Sequence, residues 1–328
     1  MALFQALYHL LWGDLVTIPL PGGSTLGLSL LVMILVPAGV YFTVRTRFLP
    51  FRLFPEMVRV TLSNNQKTEH GLSGVQALIV STACRVGMGN LVGVVAAISA
   101  GGAGAVFWMW VMALLGSSTA FIEATLAQLY KQKDPLYGGY RGGPAYYLHA
   151  LFVPKGSRRT HSVLAALFAL SGLLCWCGIS QVTSNSISAS FENAFHIPPL
   201  YSTLALVAVA AFIVLRKNAT VRVLDRMVPI MAACYFFITL FIILKNAPLL
   251  PGVFGRIFAE AFGLRQVVGG GMGAVIMNGT KRGLFSNEAG SGSAPCAAAS
   301  HIDHPAKAGL LQALGSLSTR WSSAAVPP

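Results

Sequence analysis

Charge is the scarcest thing in this chain: of 328 residues only 10% are Asp, Glu, Lys or Arg, and ten of those are acidic. Ordinary soluble domains carry about a quarter charged residues, so a water-facing globular surface cannot be assembled from this composition. The five cysteines, Cys84, Cys175, Cys177, Cys234 and Cys296, form no C-x-x-C pair and have no metal-ligand spacing. They are read as small core residues rather than as a disulfide framework or a metal site. The first 26 residues lack Lys and Arg and carry Asp14; without a basic n-region no signal peptide, and hence no cleavage, is expected.

What the chain has instead is apolar surface, 55% of its residues being hydrophobic. Uncharged or nearly uncharged runs occupy 27–44, 74–100, 104–130, 162–190, 200–215, 227–244 and, with a polar interruption, 267–300. Stretches long enough to cross about 30 Å of hydrocarbon at 1.5 Å per residue thus recur along the chain. Open strands would leave backbone N–H and C=O groups unpaired in lipid, so these spans are predicted to be helices.

The net charge of +13 would suit nucleic acid in a soluble protein. Here the basic residues sit in short loops, so no nucleic-acid partner is expected and the lipid bilayer is the medium. Loops 45–70, 131–161 and 216–226 hold five, six and four Lys or Arg, whereas the N-terminus, 101–102 and 191–199 hold none and 245–266 holds three. The positive-inside rule then predicts a multi-pass membrane protein with its N-terminus outside and the segment after residue 300 in the cytoplasm.

Two spans contain chemistry that a lipid-facing helix does not tolerate. The first, 74–93, places Arg85, Gly87, Gly89 and Asn90 near mid-depth, where glycines weaken the helix and lipid offers the freed backbone no partner. Irregular backbone at that depth survives only where it lines a cavity or is buried in protein. Half-helix ends there present amides that attract a carboxylate and carbonyls that attract Na⁺. The competing reading is that Gly89 and Gly93 form a G-x-x-x-G packing face; Arg85 favours a wet interior, because an ionisable group within a span needs one. The dinucleotide fingerprint does not fit, since its third glycine comes one residue late and no strand precedes it.

The second is 278–295, Asn-Gly-Thr-Lys-Arg-Gly-Leu-Phe-Ser-Asn-Glu-Ala-Gly-Ser-Gly-Ser-Ala-Pro. Lys281, Arg282 and Glu288 would each cost several kcal/mol unpaired in hydrocarbon, so this helix is predicted to break too. A cytoplasmic loop between two re-entrant pieces is the alternative. Two interrupted spans separated by four intact ones match a five-plus-five inverted repeat, in which the first helix of each repeat is broken at the substrate site.

At this point five ordered strings carry a specific resemblance: Arg-Val-Gly-Met-Gly-Asn (85–90), Gly-Ala-Val-Phe-Trp-Met-Trp (104–110), Gly-Gly-Pro-Ala-Tyr-Tyr (142–147), Gly-Leu-Phe-Ser-Asn-Glu-Ala-Gly-Ser-Gly-Ser-Ala-Pro (283–295) and Asp-His-Pro-Ala-Lys (303–307). Over residues 10–315 the chain resembles the alanine or glycine:cation symporter family, the sodium:alanine symporters. The resemblance implies an all-α polytopic fold of the amino-acid-polyamine-cation superfamily, leucine-transporter-like, and alternating access. It also implies symport of alanine or glycine with Na⁺ as coupling ion, with H⁺ as the alternative. Carried over, Gly87, Met88, Gly89 and Asn90 would bind the substrate's carboxylate and amino groups, and Gln181 would add a contact from a facing helix. Phe285 and Ser286 would line the site, and Arg85 and Glu288 would serve as gate or ion pair.

The polar run 181–190 could equally be interhelical hydrogen-bonding glue. Trp108 and Trp110 are read as packing or interface aromatics, Glu123 is left unassigned, and His301, Asp303 and His304 read as a polar loop because no further metal ligand lies nearby. No filter motif suggests a channel, and Ser291 and Ser293 lack the G-x-S-x-G of a hydrolase, so no enzyme is expected.

The domain reading that results is 1–73 as an extra helix with a basic loop, 74–245 as the first repeat, 246–315 as the start of the second, and 316–328 as a divergent tail too short and polar to span. On the resemblance the second repeat is incomplete, and the isolated chain is expected to be an inactive, truncated fragment. Which amino acid and enantiomer, and the oligomeric state, stay open.

Overall fold

A computed structural model describes residues 2–19, 25–63, 74–85, 88–135, 139–153, 162–215, 219–263, 271–287 and 293–324. In chain order the elements are α1 (Ala2–Trp12), β1 (Val16–Pro19), β2 (Thr25–Leu28), α2 (Leu30–Arg45), α3 (Leu49–Arg52), α4 (Phe54–Ser63), α5 (Gly74–Arg85), α6 (Met88–Gly101) and α7 (Gly104–Leu129). They continue with β3 (Gln132–Lys133), β4 (Tyr140–Arg141), α8 (Pro144–Phe152), α9 (Val163–Phe195), α10 (Pro199–Val214), α11 (Ala219–Lys245), α12 (Leu250–Ala261), α13 (Gly271–Asn287), α14 (Ser293–Ala299) and α15 (Pro305–Ala324).

Among the described residues each apolar run read from the sequence is mainly helix, although 27–28 belong to β2. Among the described residues, α7 and α9 are each long and apolar enough to cross a membrane, and Ala233–Lys245 with Ala247–Ala261 forms a pair bent by 71°. Leu30–Arg45, Val92–Gly101 and Pro199–Val214 are shorter apolar helices.

Three details differ from expectation. The fold is mostly helical rather than all-α, because the chain between α1 and α2 closes an antiparallel hairpin, Val16 opposite Leu28 and Pro19 opposite Thr25, and β3 pairs with β4. The stretch after residue 315 is not a separate tail as far as Ala324: it finishes α15 and buries Ser316 and Leu317. Cys175, Cys177 and Cys234 are exposed on the apolar faces of α9 and α11, not in the core, where they stand among exposed residues such as Leu173, Leu174, Phe236 and Phe237. Faces of that kind suit lipid rather than water.

Helix α7 is the hub. It packs on α15, α13, α14, α2 and α12, so segments 74–245 and 246–315 share one core and are not separable units. Close packing needs small residues, and α13 supplies them as Gly279 and Gly283, a G-x-x-x-G face. A Cβ on Gly279 would run into the Ala105 carbonyl oxygen and sit 2.7 Å from Trp108 Cβ, and one on Gly283 would sit 2.8 Å from Met112 Cβ. At Gly93, by contrast, an added Cβ would meet nothing within 4 Å. On α13 the close approach to α7 is made by Gly279 and Gly283, whereas Gly93 makes none.

The two ends of α7 are held by different contacts. At one, α4 packs on α15 through Leu49, Met57, Val60, Ile302 and Leu311. There Lys131 Nζ donates to Gln128 Oε1 (2.7 Å), and the Gln128 amide donates to Ser300 Oγ (2.8 Å). Tyr140 stacks on His301 at 6.4 Å between ring centroids. Burial lowers the Lys131 pKa, since a desolvated ammonium is less stable. At the other end the Gly104 N–H, at the α7 N-terminus, donates to the buried Glu260 carboxylate (3.2 Å), which Arg256 also binds (2.6 Å). The chain turns from α6 into α7 at Gly102, whose φ of 76° favours glycine.

Candidate functional site

The two spans expected to be interrupted are neighbours, and α6 runs opposite to α13. Helix α6 packs on α13, while α5, which precedes α6, packs on α14, which follows α13. At the far end of the pair a Cβ on Gly101 would lie 3.1 Å from Asn278 Cβ, and Asn278 Nδ2 donates to the Ala274 carbonyl within its own helix (2.9 Å). Counting back from Gly101 to Met88 covers about 20 Å and forward from Asn278 to Asn287 about 14 Å at 1.5 Å per residue, so the first turn of α6 lies just beyond the last described turn of α13.

The residues at this level sort as follows. Arg85 is the last residue of α5, and Met88, Gly89 and Asn90 form the first turn of α6. Gly87 and Glu288 lie outside the described residues. Ser286 and Asn287 end α13 and are 4% and 3% exposed; Ser286 Oγ and Asn287 Oδ1 are buried without a hydrogen-bond partner among the described residues. Leaving such atoms unsatisfied costs about 1–3 kcal/mol each, so this is a place built to receive something polar.

Two expected members are not brought there. Gln181 is exposed on α9, which packs chiefly on α8 and α10; its neighbour Ser188 does bond Thr203 of α10 (3.1 Å). Phe285 is 47% exposed and meets Trp12 edge-on at 6.5 Å. Beside it, Lys281 donates to the Trp12 carbonyl and to Asp14 Oδ1, both at 2.9 Å. The costly charge within the seventh run is thus neutralised by the N-terminal segment, a partner that spacing along the sequence could not identify. Trp108 packs as expected and donates its indole N–H to the Ala261 carbonyl (3.3 Å). No group of three or more His, Cys, Asp or Glu that could hold a metal ion occurs among the described residues.

The α7 face opposite Asn287 was missed. Asn287 Nδ2 donates to the Met112 carbonyl (2.8 Å), and a Cβ on Gly116 would run into the Asn287 amide. Thr119 and Glu123 continue this face. The signal was present: Gly-Ser-Ser-Thr (116–119) followed by Glu123 is an unusual sequence for the middle of an apolar span. Glu123 also acts on Tyr147 of α8, whose phenol is held protonated above its usual value first by burial and then by the Glu123 charge.

A mostly helical protein with long apolar helices such as α7 and α9 belongs to the class of helical membrane proteins. More particularly, it belongs to the sodium:alanine symporter family, whose model matches residues 21–319. It is 44% identical over 288 residues to the amino-acid carrier protein AlsT of Bacillus subtilis (strain 168), covering 87% of this chain and 60% of that protein. It is 43% identical over 294 residues to the probable sodium/glutamine symporter GlnT of the same strain, covering 88% and 59%. With the sodium/alanine symporter AgcS of Methanococcus maripaludis the identity is 34% over 290 residues, covering 87% and 63%. The chain spans about three fifths of the length of these curated relatives. The family is one of transporters, not enzymes.

Proposed function

We propose that this chain takes part in cation-coupled symport of small neutral amino acids across the plasma membrane, with Na⁺ as the coupling ion and alanine or glycine as substrate. What supports the reading is the packing of α6 on α13, whose last described turn carries Ser286 and Asn287, each with a buried side-chain oxygen that has no hydrogen-bond partner among the described residues. Amides at the start of α6 would hold the substrate carboxylate, and carbonyls at the end of α13 would hold its ammonium group or the ion. In this reading Asn90, a donor and an acceptor together, and Ser286 orient the zwitterion, while the two broken helices rock against the α7 hub to alternate access. The basic loops 45–70, 131–161 and 216–226 face the cytoplasm. Proton coupling is the alternative, since one relative is named a sodium/proton-dependent alanine carrier protein.

Binding is the direct readout of what these residues do. Purified chain in nanodiscs should bind labelled alanine saturably in NaCl and not in choline chloride, and Asn90→Ala should remove that binding. Glutamine is the informative competitor, because one of the similar proteins is named a probable sodium/glutamine symporter. Na⁺-independent binding, or binding unaffected by Asn90→Ala, would overturn the reading.

A further inference from the structure

A groove of about 490 Å³ opens between α3, α4, α7 and α15, lined by Pro50, Phe51, Phe54, Leu114, Leu314 and Leu317. Its size is that of a ligand pocket, about 300–1,000 Å³, but its lining offers a polar solute almost nothing to bond. The one polar side chain, Ser318 at the exposed edge, donates to the Gly315 carbonyl of its own helix (3.3 Å). Such walls accept an apolar chain.

The segment that supplies one wall is basic. Residues 45–59 hold Arg45, Arg47, Arg52 and Arg59 against one acid, Glu56, and Glu56 is taken by Arg59 (3.0 Å). Arg45, Arg47 and Arg52 are exposed, and among the described residues none of them forms an ion pair; Arg52 reaches only the Thr46 carbonyl, at 3.4 Å. The helices behind the groove bring no counter-charge either. Asp303, just before α15, is paired with Lys307 (3.6 Å), and Glu123 stands about 180° around α7 from Leu114, on the face toward α2 and α13. Arg47 and Phe48 turn the chain from α2 into α3 with φ of 55° and 53°, a left-handed conformation uncommon outside glycine. Phe48 and Phe51 are left exposed beside the arginines. Apolar aromatic surface flanked by arginine is what membrane-interface segments present.

We infer that the groove holds an acyl chain of an anionic phospholipid whose headgroup phosphate is bound by Arg45, Arg47 and Arg52. A second copy of the chain, or a further helix, would cover the apolar walls but leave three guanidinium groups without a counter-charge. A zwitterionic lipid cancels its own phosphate. An anionic lipid satisfies both surfaces at once. In the orientation proposed above the site belongs to the cytoplasmic leaflet, where anionic lipids set a negative surface potential; the binding itself does not depend on which ion or amino acid is carried.

The test is competitive lipid retention by the purified 328-residue chain. Nanodiscs of equimolar dioleoylphosphatidylglycerol and dioleoylphosphatidylcholine are dissolved in mild detergent, and the retained lipid is identified by native mass spectrometry. Wild type should retain phosphatidylglycerol over phosphatidylcholine by at least about tenfold, since each interfacial arginine contributes about fivefold. Arg45→Gln, Arg47→Gln and Arg52→Gln together should bring the ratio to within about twofold of one, whereas Arg59→Gln, at the arginine already paired, should leave it within about twofold of wild type. Ser318→Trp, which fills the groove from its exposed edge, should lower retention several-fold with the arginines intact. Where the triple variant does not fold, Arg47→Gln alone should cost about fivefold and decides. Equal retention of the two lipids by wild type, or a preference untouched by Arg47→Gln, overturns the headgroup assignment. Retention untouched by Ser318→Trp, or displacement of the lipid by excess inorganic phosphate, overturns the groove. A lipid-free pair of chains would make the groove an interface between copies and overturns the whole inference.

Discussion

Substituting Gly279 by alanine tests whether the α13–α7 contact is what holds the interrupted helix in place. The new methyl carbon would run into the Ala105 carbonyl oxygen and lie 2.7 Å from Trp108 Cβ, about 1 Å inside ordinary carbon–carbon contact. Both obstacles are backbone or a Cβ, so no rotamer change relieves them and α13 must move as a body. Overpacking of this kind costs about 1–3 kcal/mol, and the better helix propensity of alanine returns about 1 kcal/mol. A net loss of about 2 kcal/mol is expected when the clash is at the upper end. Gly172 of α9 is the matched control, since a Cβ there meets nothing within 4 Å. Gly172→Ala should gain up to about 1 kcal/mol from propensity alone. Thermal unfolding of the two variants in the same lipid nanodiscs, by tryptophan fluorescence and by loss of the monodisperse peak, gives the comparison directly. If Gly279→Ala unfolds at or above the wild-type temperature, the glycine contact is not what positions α13.

Three further outcomes are expected. Glu260→Ala should destabilise the fold by about 1–3 kcal/mol in denaturant titrations, because the Gly104 N–H at the start of α7 and the Arg256 guanidinium both lose the buried carboxylate; Arg256→Ala should cost less, being the exposed partner at 62%. Asp14→Asn should weaken the tie between the N-terminal segment and α13 and speed protease nicking within 12–28, whereas the exchanged pair Asp14→Lys with Lys281→Asp should recover much of the protection. In a background with the native cysteines replaced, cysteines introduced at Lys133 and Glu56 should resist an impermeant thiol reagent in intact cells, while one at Leu249 should react; the reverse pattern would mean that the orientation read from the basic loops is inverted.

The apolar runs and their largely helical state were legible in the sequence because they depend on local chemistry: a run of uncharged residues has no other solution in lipid. The expected interruption at Lys281 and Arg282 is not found, since α13 runs as helix from Gly271 through both of them to Asn287, and the residues between α5 and α6 and between α13 and α14 lie outside the described residues. The family strings added the likeness to sodium:alanine symporters, which the match over residues 21–319 bears out. What the sequence could not supply was which groups meet across long separations. Lys281 pairs with Asp14, 267 residues away, and Asn287 bonds the Met112 carbonyl, 175 residues away. The glycine face turned out to be Gly279 with Gly283 rather than one through Gly93. Helix propensity and hydropathy are sums over neighbouring residues, whereas a partner for a buried charge, or a niche for an amide beside Gly116, exists only once two distant helices lie at packing distance. The sequence by itself determined the class of protein, because composition and hydropathy are local sums; only the tertiary structure decided which distant groups meet, because those contacts exist only once the helices are packed.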